Sequence, residues 1–122
     1  MEKRKTSKKE LLKNLSSELN EFKKSLSEDI DKLYPDIWDS AVASGRLELL
    51  DSEQLTKLTN AYRKIKGTDY DATRVREAQE SFNESMSQEN RRHLSFQRLK
   101  YESRTKETKA LINEVLNEPW LR

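Results

Sequence analysis

The chain has no cysteine, one histidine, two glycines and two prolines in 122 residues. Without cysteine there is no disulfide, no thiol nucleophile and no thiolate-bound metal. His93 alone supplies neither a histidine pair for zinc nor a catalytic triad with a spaced Ser or Cys. So few turn-forming residues exclude hairpin-rich β folds, which need a turn about every 8–12 residues. No run of about 18 apolar residues exists to span a bilayer. The basic N-terminus is not followed by the apolar stretch of a secretory signal, and no Gly-rich phosphate loop is present. The expectation is a cytoplasmic protein with no catalytic residues, no cofactor and no metal.

What is present points to helices. The length fits one domain. Leu, Ile, Val and Phe number 26, a content at the edge of what can bury a core. Charged residues make up 38 %, but 24 basic against 22 acidic leaves only +2. Disorder through self-repulsion needs a larger imbalance. The apolar residues are uneven: positions 11–65 hold 16 of the 26, and positions 66–109 hold five. The middle stretch therefore reads as a solvated helix, a weak coiled-coil strand or a partly disordered arm.

The first helix is predicted over 8–34. Ser7 and Glu10 have capping-box spacing. Leu12, Leu15, Leu19, Phe22, Leu26, Ile30 and Leu33 then follow at steps of three and four, which makes one apolar stripe. Pro35 ends it, because the residue before a proline is pushed out of the helical region. An elbow follows at 35–51. Asp36 can cap a short helix carrying Ile37, Trp38, Ala41 and Val42, and Gly45 suits the left-handed residue at its end. Leu47, Leu49 and Leu50 return to the core, and Asp51 with Gln54 forms a second capping box. The second long helix sets Leu55, Leu58, Tyr62 and Ile65 against the first stripe. Gly67-Thr68-Asp69 predicts a kink or loop at 67–71. Beyond it Val75, Ala78, Phe82 and Met86 give a weaker pattern, and a turn can sit in the polar stretch 87–93. Leu94, Tyr101, Thr108 and Val115 repeat at seven, before Pro119 stops the last helix. The organisation is a basic arm at 1–9, one helical domain at 10–118 and a tail at 119–122. The expected fold is all-α: an antiparallel long-helix hairpin with a short elbow helix, then one or two weaker, coiled-coil-like helices.

Around the elbow, Trp38-Asp39-Ser40 and Ser44-Gly45 follow a Leu-rich helix and precede Leu49-Leu50 and the Leu55, Leu58, Tyr62, Ile65 stripe. Over residues 11–66 this resembles an uncharacterised helical module of prokaryotic proteins, often found behind a membrane anchor. The resemblance implies architecture and no activity. The chain departs from that pattern in carrying no apolar anchor segment, so peripheral membrane contact is not expected.

Two charge clusters are candidates for chemistry. Residues 28–53 hold eight acids (Glu28, Asp29, Asp31, Asp36, Asp39, Glu48, Asp51, Glu53) against two bases, a net −6. A cation site or a general acid–base pair needs converging carboxylates, but the spacing of a calcium loop is absent. Helix caps and solvated surface are the preferred reading. The basic clusters are Lys3, Arg4, Lys5, Lys8 and Lys9 in 1–9, and Arg91, Arg92, Arg98, Lys100 and Arg104 within 91–109. They offer phosphate contacts to a nucleic acid as the alternative function, though no recognisable nucleic-acid motif accompanies them. Trp38 reads as a core anchor. Trp120 either staples the last helix or inserts into a partner.

The preferred function is a non-enzymatic helical interaction or scaffold module. The first stripe is about 40 Å long, and the second helix offers apolar cover for about half of it. The later helices are apolar-poor until Leu111. A homodimer buried around Leu15, Leu19, Phe22 and Leu26 is therefore expected, since twofold pairs are the commonest oligomers; another helical protein is the other candidate partner.

Overall fold

A computed structural model of the chain describes residues 2–27 and 33–121, and of side chains only those from Lys8 to Leu26 and from Leu33 onward. Among the described residues there are four helices, α1 (Glu2–Ser27), α2 (Asp36–Ser44), α3 (Ser52–Glu84) and α4 (Gln88–Leu116), with a 3₁₀ turn at Arg46–Leu49. No strand occurs among the described residues, so the class is all-α as the composition implies.

The start of α1 differs from expectation. The helix begins at Glu2, so Ser7 lies inside it instead of capping it, and the basic residues from Lys3 to Lys9 are in helical backbone. Its end differs too. Leu33, Tyr34 and Pro35 are not helical. Ile30, Glu28, Asp29, Asp31 and Lys32 lie outside the described residues.

The elbow follows its local signals closely. Gly45 takes φ +76° and closes α2 with its N–H on the carbonyls of Ala41 and Val42. Asp51 caps α3, accepting from the Gln54 N–H at 2.9 Å, while the Gln54 side chain accepts from the Asp51 N–H at 3.1 Å. The start of α2 is the exception. Pro35 occupies the cap position and Asp36 is already helical, with no cap from either side chain. The open N–H groups of Ile37 and Trp38 are instead taken by Glu18 of α1, at 2.8 and 3.4 Å. A carboxylate is favoured there because the N-terminus of a helix carries partial positive charge.

The most extensive packing is between α3 and α4. They run antiparallel, as the ladder of Lys57–Glu118, Lys64–Glu107, Thr68–Thr108, Asp71–Arg104 and Gln79–Arg98 contacts shows. The reversal at 85–87 needs neither Gly nor Pro. Ser87 caps α4 through the Asn90 N–H, and the Asn90 amide donates to the carbonyls of Ser81 and Ser85 at the end of α3. Along α3, Tyr62 meets Glu18 and Phe22, and Thr68, Asp69 and Ala72 lie beside Ser25 and Leu26. Helix α1 thus runs parallel to α3 and antiparallel to α4.

Helix α3 runs unbroken through 67–71, with no loop there. The glycine there serves helix contact instead. A methyl group on Gly67 would stand 2.7 Å from Arg104 Nη1 on α4, so the missing side chain lets the guanidinium cross to buried Asp71, with Nε 2.7 Å from Oδ2.

One apolar core occupies one end of the bundle. It joins Leu11, Leu15, Leu19, Phe22 and Leu26 of α1 to Trp38, Leu58, Tyr62 and Ile65, and to Ile112, Val115 and Leu121. Trp38 stacks on Tyr62 with ring centroids 4.5 Å apart, and Leu47, Leu50 and Leu58 belong to the same cluster. Further along, polar groups replace apolar ones between α3 and α4. The Thr68 and Thr108 hydroxyls meet at 2.7 Å, and Thr68 also donates to the Lys64 carbonyl. Beyond them Ala78, Leu94 and Gln97 are buried outside the main cluster. The apolar-poor stretch 66–109 is therefore helical on both sides of the turn at 85–87, with Thr68, Asp71, Ala78, Leu94, Gln97 and Thr108 as its buried residues.

Candidate functional site

The expected dimer surface is interior. Leu15 and Leu19 are completely buried, and Phe22 and Leu26 nearly so, within a single chain. The cover that the second helix lacks comes from Ile112, Val115 and Leu121 at the far end of the chain. These four residues are not free to meet a second copy. Trp120 is half-buried against the same core beside buried Leu121, so it staples the end of α4 instead of reaching outward.

The described carboxylates of the elbow do not converge. Asp51 is a cap, Asp39 pairs with Lys66 at 2.8 Å, and Asp36, Glu48 and Glu53 are exposed. Nor do the α4 bases form one free surface. Arg104 is committed to Asp71, Arg98 donates to Gln79 at 2.6 Å, and Arg91 lies over the Phe82 ring. Arg92 and Lys100 remain exposed. At the other cluster Lys8 is half-buried and Lys9 exposed, while the side chains of Lys3, Arg4 and Lys5 lie outside the described residues. His93 is exposed.

What stands out is the outer face of α4. Phe96 and Leu99 are 61 % and 66 % exposed. Leu94, Thr108 and Ile112 of the same helix are buried, and helical spacing puts the exposed pair roughly opposite them. Phe96 and Leu99 line an open groove of about 430 Å³ with Lys64 of α3 and with Lys100, Ser103, Arg104 and Glu107 of α4. Three cations and one carboxylate border it. The carboxylate is engaged: Lys64 donates to Glu107 Oε2 at 2.8 Å, and this hydrogen bond holds the Glu107 carboxyl below its ordinary range. Phe96 and Leu99 give the groove an apolar wall beside its charged border.

Glu89, Arg92, Phe96, Leu99, Ser103 and Lys106 extend this face. All six are exposed, and they follow one another at steps of three and four. This is the spacing of a coiled-coil seam. It was hidden in the sequence by the parallel repeat through Leu94, Tyr101 and Thr108, which is the seam α4 uses internally. The available signal was the second apolar pair, Phe96 and Leu99, out of phase with that repeat.

Comparison with protein-family models, with curated proteins and with solved structures finds no match. Among the described residues no helix is long and apolar enough to cross a membrane.

Proposed function

We propose that the protein is a non-enzymatic helical interaction module that works by laying the outer face of α4 against an amphipathic helix of a protein partner. The observation that carries this reading is the exposed Phe96–Leu99 pair on a regular helix with seam spacing. Apolar side chains that stay in water on a chain so short of them are best explained by a surface that covers them on binding. Exposed Lys100 borders the pair and can meet a carboxylate of the partner. Helix-in-groove recognition of this kind uses anchors three and four residues apart.

The nucleic-acid alternative draws less support, because Arg98 and Arg104 are already spent on contacts within the chain. A photoreactive amino acid in place of Ser95 separates the two in cells. The expected adduct is destroyed by protease, resists nuclease, and is lost when Phe96→Ser and Leu99→Ser are added. An adduct destroyed by nuclease, or no adduct, overturns the reading.

A further inference from the structure

Resting on that reading of the α4 face, we infer that its occupant is α4 of a second copy, lying antiparallel about a twofold axis between Phe96 and Leu99. The argument is the symmetry of the stripe. Its spacings of three, four, three, four and three residues read the same in both directions. Reversed onto itself, the stripe places Phe96 over the second copy's Leu99, and Leu99 over its Phe96. Arg92 then faces Ser103, a long side chain against a small one. Glu89 faces Lys106, a negative charge against a positive one. The six residues fall alternately on the two core positions of a heptad, and each layer of an antiparallel pair joins unlike positions, as here.

A parallel arrangement would set Glu89 on Glu89 and Lys106 on Lys106, each repulsive. The antiparallel one makes both ends attractive, so the surface chemistry selects the orientation. All six side chains are exposed on the single chain, so the pairing requires no unfolding of the core. The seam from 89 to 106 is only about 25 Å long, which makes the pair reversible and concentration-dependent.

Sedimentation of the purified chain tests this over roughly 10–500 µM, the range in which weak interfaces form. The expected result is a reversible rise toward twice the chain mass, abolished by Phe96→Ser with an unchanged melting curve. Glu89→Lys alone and Lys106→Glu alone should each weaken association about tenfold, since each makes both end layers repulsive. An equal mixture of these two variants should recover wild-type association, because each brings the charge that the other lacks. This mixture also removes any effect of Glu89→Lys on helix stability from the interpretation. A chain monomeric throughout the range, or a mixture no better than its components, overturns the inference. If the purified chain is monomeric while the cellular adduct at position 95 is protein, the second copy is wrong and the interaction module stands. Loss of that adduct removes the module itself.

Discussion

The Tyr62 hydroxyl donates to Glu18 Oε1 at 2.6 Å, and the same carboxylate accepts the backbone N–H groups of Ile37 and Trp38. One buried side chain thus ties α1 to the start of α2 and to the middle of α3. A carboxylate in an apolar core is tolerated only when donors surround it, and here three do. Glu18→Ala leaves these donors without an acceptor and should cost about 2–3 kcal/mol in urea unfolding, with the slope unchanged. A loss below about 0.5 kcal/mol, the size of a surface substitution, would show that water replaces the carboxylate.

The same contact has a pH signature. Burial, and then the hydrogen bond and charge of Glu18, push the Tyr62 hydroxyl well above its ordinary value of 10.0. In the unfolded chain it ionises near that ordinary value. The contribution to stability is therefore complete below about pH 10 and is lost as pH rises toward the folded value. Above pH 10 stability should fall by up to about 1.4 kcal/mol per pH unit from this residue. Tyr62→Phe should be less stable at neutral pH yet show a shallower alkaline decline. Parallel declines of the two chains would place the effect elsewhere.

Trp38 is buried and stacked on Tyr62 with ring planes only 8° apart. Trp38→Ala should cost about 3–5 kcal/mol through lost burial and the cavity left behind. Thermal melting or urea unfolding reads this directly, and a neutral substitution would contradict the place of the indole in the core.

The elbow was legible because its signals are local. Gly45 and the Asp51–Gln54 pair act over three or four residues and behave as their chemistry implies, whereas Asp36 does not cap α2. The cap that replaces Asp36 comes from buried Glu18, which nothing in the local pattern distinguishes from the exposed glutamates of the same helix. The role of Gly67 is likewise set by a distant residue. In a short window it marks a break, but its use depends on Arg104, 37 positions away. The cover of Leu15 and Leu19 is not legible because α4 reaches the core only through its last turns, Ile112 and Val115, after a stretch whose buried residues are Leu94, Gln97 and Thr108. Polar residues can fill helix interfaces when they pair with one another, and hydrophobic periodicity is blind to them.

Gly67 and Arg104 should prove energetically coupled. In an unconstrained helix, Gly→Ala stabilises by about 1 kcal/mol. Here the new methyl would displace a guanidinium held by buried Asp71. Gly67→Ala should therefore give no gain, or a loss, in the native chain. It should recover the full gain when Asp71→Ala and Arg104→Ala are already present. Equal effects of Gly67→Ala in both backgrounds would show that the close approach carries no energy.

The core closes within one chain and leaves the outer face of α4 exposed. The most direct test of this closure is the urea unfolding midpoint of the Phe96→Ser/Leu99→Ser chain at about 1 µM and about 100 µM. Coupling between folding and assembly makes a midpoint depend on concentration, whereas a self-contained core does not. One midpoint at both concentrations is expected, with a stability equal to that of the native chain at the lower one. A midpoint that climbs with concentration would contradict it, by showing that Leu15, Leu19, Phe22 and Leu26 are covered by a second chain after all.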